Sequence, residues 1–488
     1  VVISTYWSKL RDHPAVELVT KMLVRRGDLE GVAHGRALAV VEAMLSTGML
    51  VVDGPFKSFD HERGTIEVEP PSASKIVLSE DQKNAWLKIR AWVSGTERFF
   101  VLRGFAGTGK TFLMKMLLEQ GRCSLKFTAP TNKAAKVLAQ TLGVQAGTIY
   151  SLLGLRMVPH EDGMRLEYPK VMPHVSPKTI VVIDEASMVG SELYKFVDDA
   201  SSKLGFRVLY VGDPAQLNPV GEAISPAWKA TSLPANRAVL KKVMRFDNEL
   251  LALSVAIRDC LKEKRWVNPV RDDHSKGSGV FVLPHHKFDR RIDRLGVEDF
   301  AATKIVAWRN KTVSAYNARV RKNFGFEKEY EVGDVLLIGE PIEREGRIVA
   351  HTDEEGRATS VERTVLSADY EEVPVWSIVL KTDDATHQLY VPCRGDDTLQ
   401  RVLADKAAKA RNASSGARAM RWREFWEVKR KFHTVRYGYA LTVHRMQGST
   451  VDTVYVDQED VLANPDKREA FRCLYVACTR PRFKLYTF

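Results

Sequence analysis

The chain lacks any apolar run near the ~18 residues a membrane span requires, so no membrane partner is expected. No basic-then-apolar pattern opens it, so a secretory leader is not expected. Val1 stands first, and an initiator methionine is expected to be missing. Cysteine is scarce: five residues, at 123, 260, 393, 473 and 478, with no C-x-x-C pair. That odd, scattered set argues against a disulfide framework or a zinc site and for reduced, mostly buried thiols inside a cell. There is no fixed-period repeat and no low-complexity tract.

What is present is a long, ordinary globular composition with a basic excess. A chain of 488 residues exceeds one hydrophobic core, so about two to four domains are expected. Hydrophobic residues make up 44% and charged residues 27%. Lys+Arg number 73 against Asp+Glu 61, a net charge of +12, which favours a polyanion partner such as nucleic acid.

The pattern along the chain divides it. Residues 1–75 read as two helices followed by a hairpin, either a winged helix or a small accessory domain. Residues 76–225 alternate strand-like runs (FFVL, LKFTA, TIVVIDE, FRVLYVGD) with helical patterns, which predicts a parallel sheet covered on both faces. RMVPHEDGMRLEYPK interrupts that alternation, and its EDG turn predicts an inserted β-hairpin over 156–172. Residues 226–320 resume α/β character. Residues 321–432 are short strands and then a basic helical segment, a small β-barrel inserted into the second α/β domain, which resumes over 433–488.

GFAGTGKT, 104–111, fits G-x-x-x-x-G-K-[ST] between a strand and a helix. Its glycines let backbone N–H groups turn toward phosphate oxygens. Lys110 would reach the β- and γ-phosphates and Thr111 would hold Mg²⁺. In VVIDEAS, Asp184 at the end of a buried strand is the expected Mg²⁺ anchor, and Glu185 the expected base for water. A carboxylate placed for water attack favours hydrolysis over transfer to a substrate. In VLYVGDPAQLNPV, Gln216 is placed to sense the γ-phosphate. LYVACTR reads as a short strand presenting Arg480 to phosphate, and Arg245 in VMRFDNELL is a second such arginine.

Taken in order, LSEDQKNAW, GFAGTGKT, FTAPTNKAAKVL, TIYSLLGL, VVIDEASM, VGDPAQLNPV, VMRFDNELLALS, VAWRNKTVSAYN, YALTVHRMQGST and LYVACTR resemble the motifs of superfamily 1 helicases. The resemblance is to the RecD-like 5′→3′ branch, superfamily 1B, and within it to a phage member. It covers residues 76–488. It implies two RecA-like parallel-sheet domains with the hairpin as a strand-splitting pin, the barrel insert and the accessory domain. ATP with Mg²⁺ would bind between the domains and single-stranded DNA across their top.

On the nucleotide side, the resemblance implies contacts from Gln82 (adenine), from Gly104, Ala106, Gly107, Thr108, Gly109, Lys110, Thr111 and Phe112, and from Gly448 and Ser449. On the DNA side it implies Pro130, Thr131, Asn132, Lys133, Thr148, Asn310, Thr442, His444 and Arg445. Tyr150 stands where the family usually has His, and Arg445–Met446 where Lys-Ser is usual. Tyr168 on the pin is a candidate for stacking on a base or for packing the hairpin's base. Trp422 and Trp426, in a basic-aromatic segment, are candidates for a strand contact or for packing on the barrel. The expected activity is ATP-driven 5′→3′ translocation on single-stranded DNA with unwinding at duplex junctions. The expected setting is the cytoplasm of a bacterial or phage-infected cell, with a monomer serving replication or recombination proteins. The same motifs would serve a translocase that strips proteins from DNA, a nucleotide-gated binding module or an RNA helicase. No His-rich cluster with a nearby tyrosine suggests a relaxase.

Overall fold

The computed structural model describes residues 56–60, 65–68 and 78–488, apart from 122, 161–162, 170–172, 244–248, 276 and 345–346. Two compact units divide after Val77. In the first, Phe56–Asp60 pairs antiparallel with Thr65–Val68, in the stretch expected to form a hairpin. The helices expected before it lie outside the described residues.

The second unit holds two parallel-stranded sheets. The first has six parallel strands in the order Arg237–Leu240, Phe99–Gly104, Arg207–Gly212, Thr179–Ile183, Ser124–Ala129 and Ala146–Thr148. Every residue of Thr179–Ile183 is buried, as an apolar run covered by helices on both faces should be. The edge strand Arg237–Leu240 corrects the expected boundary at residue 225. RAVL is short and its Val239 is exposed, so it carries little apolar signal, yet it pairs with Val101–Gly104. The first domain therefore extends through Leu240.

The chain then crosses to the second domain under a clamp. The backbone N–H groups of Lys241 and Lys242 donate to one Asp81 carboxylate oxygen at 2.5 and 2.8 Å. Asp81 lies in the first turn of the helix Glu80–Ser94, whose Ser79–Gln82 capping box fixes its start.

The second sheet runs Asp273–Ser275, Ser278–Val282, Pro481–Thr487, Val451–Val456, Thr303–Ala307 and Ala440–Thr442, all parallel except the first pair. LYVAC, read above as a strand, is instead the end of the helix Lys467–Cys478. Its residues Ala470–Cys478 are buried on every side, so the run has no polar face to betray a helical period. Asp466 caps the start, accepting from the Arg468 and Glu469 N–H groups at 2.9 and 3.2 Å.

The insert between these elements is a five-stranded antiparallel sheet, Thr386–Pro392, Glu371–Thr382, Glu355–Ala368, Val335–Ile338 and Val435–Tyr437. Its first edge strand is tied to the segment leading into its last: Tyr390 N–H donates to His433 Nδ1 at 3.0 Å and His433 N–H donates to Tyr390 O at 2.7 Å. The helices Thr398–Asn412 and Ser415–Lys429 follow, with Leu399, Val402 and Val428 packed on strand residues Val373 and Val375. The other inserted element pairs Arg156–His160 with Gly163–Glu167, His160 opposite Gly163.

Candidate nucleotide cleft and strand groove

The loop after Phe99–Gly104 is built for close approach. A Cβ at Gly104 would fall 2.7 Å from Thr108 Oγ1, and one at Gly109 would fall 2.4 Å from Gln82 Nε2. Gly109 also has φ +88, so the helix Lys110–Glu119 starts from a conformation that glycine favours. Lys110 Nζ folds back to donate to the carbonyls of Gly104 and Phe105 at 2.7 and 3.0 Å. Ala106, Gly107, Thr111 and Phe112 are half-buried around it.

Gln82 is engaged at both ends. Its Oε1 accepts from Ser79 N–H at 3.0 Å and its Nε2 donates to Thr108 O at 3.0 Å. It braces the loop and keeps one hydrogen and one lone pair for a base.

Asp184 and Glu185 follow the buried strand Thr179–Ile183, and Asp184 N–H donates to Thr128 O at 2.9 Å. Glu185 has φ 50, a left-handed conformation costing a non-glycine residue about 1–3 kcal/mol. Burial raises both carboxyls above their ordinary range. The Glu185 carboxyl is pushed up to about 7, by desolvation and then by the Asp184 charge, while Arg480 and Lys110 pull it down.

The second domain reaches this cleft through several side chains. Arg480 is buried, its guanidinium donating to Val476 O, Ser449 O and Thr479 Oγ1 at 3.1–3.3 Å. The Oγ atoms of Ser449 and Ser187 are buried without a hydrogen-bond partner. Gly448, at φ +78, abuts Ala134 of the first domain, where a Cβ would sit 3.3 Å from the Ala134 Cβ. Gln447 Nε2 donates to Gln216 Oε1 at 3.3 Å, and both glutamines are buried. The expected contribution of Arg245 lies outside the described residues.

Sequence reasoning missed four contributors. Tyr475 OH donates to Asp213 Oδ2 at 2.6 Å and accepts from Ala106 N–H at 3.2 Å. Arg472 donates to Pro214 O at 2.8 Å and also to Gln216 O. The Arg258 guanidinium lies 4.3 Å over the Phe105 ring. None forms a local pattern: Tyr475 and Asp213 are 262 residues apart.

Above the cleft is a groove of about 460 Å³. Of the expected DNA-side residues it gathers Thr131, Asn132, Lys133, Asn310, Thr442, His444 and Arg445, and adds Trp308, Met188, Gln447, Thr352 and Asp353. Thr131, Thr148 and Thr442 each cap a helix, accepting from the N–H three residues on at 3.2, 3.0 and 3.4 Å. Each hydroxyl keeps its own hydrogen to donate. Burial lowers the Lys133 pKa, and the Glu355 and Asp353 carboxylates partly restore it. Trp308 and Asn310 are positioned by Asp460, whose carboxylate accepts from Trp308 N–H and Arg309 N–H at 2.7 and 2.8 Å and from Thr312 Oγ1 at 2.7 Å.

Other expected strand contacts lie elsewhere. Pro130 is buried, and Tyr150 packs partly buried against the first domain's core, near Glu192. Tyr168 sits at the hairpin's base, not its tip. Its hydroxyl donates to Phe196 O at 2.7 Å and its ring edges onto Phe196, so it anchors the hairpin. Trp422 and Trp426 do not line the groove. Both pack edge-on against Phe425, Lys429 lies 5.0 Å over Trp426, and the Trp426 indole nitrogen is buried.

A phosphate loop ending one parallel sheet, a carboxylate pair beside it and an arginine from a second parallel sheet define a P-loop NTPase of two RecA-like domains. The family described as "AAA domain" matches residues 77–266, and "UvrD-like helicase C-terminal domain" matches 437–487. The chain is 25% identical over 441 residues to "ATP-dependent DNA helicase dda" of Enterobacteria phage T4, covering 84% of this chain and 98% of that one. It is 33% identical over 172 residues to "ATP-dependent RecD2 DNA helicase" of Deinococcus radiodurans, covering 34% of this chain and 21% of that one. A crystal structure of Bacteroides Pif1 bound to ssDNA overlaps with a TM-score of 0.47 at 16% identity, over 84% of this chain and 92% of that one. By these matches the chain is similar to ATP-dependent DNA helicases, the RecD-like RecD2 among them.

Proposed function

We propose that this chain is an ATP-driven DNA helicase that moves 5′→3′ along single-stranded DNA and opens duplex ahead of it. One observation carries the reading. The segment 442–449 lines the groove with Thr442, His444 and Arg445, and five residues past Thr442 it bonds the nucleotide cleft through Gln447 to Gln216. A change at the γ-phosphate is therefore felt where a strand would lie.

The residues fit Mg-ATP. The orphaned Ser449 and Ser187 hydroxyls and the folded-back Lys110 are polar groups with hydrogen-bonding capacity to spare. Thr111 and Asp184 offer the oxygen ligands that Mg²⁺ prefers, and the ion would neutralise phosphate charge. Glu185 accepts the proton of the attacking water. The bond from the γ-phosphorus to its bridging oxygen breaks, and ADP keeps that oxygen. Lys110 and Arg480 offset the charge on the transferred group. Loss of the γ-phosphate releases Arg480 and Gln216, the cleft opens, and the grip of one domain on the strand weakens.

Strand displacement on 5′- and 3′-tailed duplexes tests the reading. Unwinding of the 5′-tailed substrate, lost in Glu185→Gln, is expected. Unwinding only the 3′-tailed substrate would overturn the direction, and unwinding neither while hydrolysing ATP would leave a translocase.

A further inference from the structure

The groove carries an acid where a DNA-binding surface has no use for one. Thr352 and Asp353 belong to the turn between Arg347–Ala350, a strand of a separate two-stranded sheet in the insert, and the barrel strand Glu355–Ala368, and both line the groove beside Lys133, His444 and Arg445. The Arg445 guanidinium is bonded to the Asp353 carboxylate, each side chain only partly exposed. Asp353 has φ 61, a left-handed conformation unfavourable for a non-glycine residue.

The turn is held there from several sides. Asp353 N–H donates to Ile338 O at 2.8 Å, and His351 N–H donates to the Glu354 carboxylate at 3.0 Å. The next residue, Glu355, accepts from the buried Lys304 Nζ at 2.8 Å. On the first domain, Lys136, one turn after Lys133, pairs with Asp383 and Asp384 of the barrel at 3.3 and 2.8 Å. The insert thus contributes to the groove wall and touches the first domain beside it, with one carboxylate on an arginine that lines the groove.

A carboxylate and a phosphate offer guanidinium the same pair of acceptor oxygens. We propose that Asp353 is a built-in phosphate mimic, which occupies Arg445 in the empty groove and is displaced by a backbone phosphate of the bound strand. This rests on the reading that Arg445 faces the strand. The exchange makes each grip cost one internal ion pair, so the strand is held less tightly and released more readily. A motor that must let go in every cycle gains from that. It also makes the barrel insert a determinant of strand affinity.

The test uses the full chain, a labelled short oligothymidylate and fluorescence anisotropy across a salt series without nucleotide. Asp353→Asn removes the charge while Asn tolerates the left-handed backbone, and Asp353→Gly does so without a side chain. Both are expected to bind the oligonucleotide about three- to tenfold more tightly at low salt, converging with the parent at high salt. The slope of log affinity against log salt should steepen by up to about one, because no freed Asp353 takes up a cation. Arg445→Ala should weaken binding, and Asp353→Asn should add nothing in that background. If Arg445→Ala weakens binding but both Asp353 variants bind no more tightly than the parent, the mimic is overturned and the groove stands. If Arg445→Ala leaves binding unchanged, the placement of Arg445 on the strand is itself overturned.

Discussion

Gln447 of the second domain donates its side-chain amide to Gln216 of the first at 3.3 Å, and neither glutamine is exposed. The bond is a buried link between the two domains, and Gln447 also lines the groove above the cleft. Gln447→Ala and Gln216→Ala should each cut DNA-stimulated ATPase by about tenfold or more, some 1.4 kcal/mol of groove-to-cleft coupling in barrier terms. Single-strand binding without nucleotide should stay near the parent's. Steady-state phosphate release with and without oligonucleotide separates the two.

Tyr475→Phe removes the hydroxyl shared between Asp213 and the Ala106 N–H. The Asp213 carboxylate is fully buried and would keep only its bond from Ala215 N–H at Oδ1. A loss of about 1–3 kcal/mol of stability is expected, read by urea unfolding.

Trp308 lines the groove beside Asn310 on a turn that Asp460 fixes. The indole packs partly buried on the second domain's core and borders the groove, within reach of a bound strand. Trp308→Ala should weaken oligonucleotide binding by about 1–3 kcal/mol and spare the DNA-independent ATPase. Isothermal titration with a short oligonucleotide measures it.

The tie between Tyr390 and His433 should depend on pH. His433 Nδ1 accepts from Tyr390 N–H, so the ring must be neutral there, and burial lowers its pKa below the ordinary 6.5. A lowered pKa means the unfolded chain binds the proton first. The stabilisation is complete above about pH 6.5 and is lost as pH falls through the lower folded value. Hydrogen exchange at the Tyr390 amide, corrected for its intrinsic pH dependence, should show less protection at pH 5 than at pH 7.5.

The parts legible in the sequence are those whose chemistry is local. GFAGTGKT works through its own backbone, and Asp184 and Glu185 follow one apolar strand, so neighbours in sequence are neighbours in space. Thr131 and Thr442 are reached only through the family resemblance, and the structure adds that each caps the helix it begins. LYVAC misled because a helix buried on all sides has no polar period, and with it went Tyr475, whose partner lies in another domain. RAVL was too short to weigh against a domain boundary. Asp353 belongs to no motif. Only the folding of the insert, which ties the Asp353 turn to Ile338, brings it to Arg445.

Asp81 and Gln82 are consecutive residues with unlike duties. One holds the crossover at Lys241 and Lys242, and the other holds the phosphate loop at Thr108. The crossover between the two domains and the glycine-rich loop are therefore tied to adjacent residues of one helix start, so anything that displaces that helix start reaches both at once.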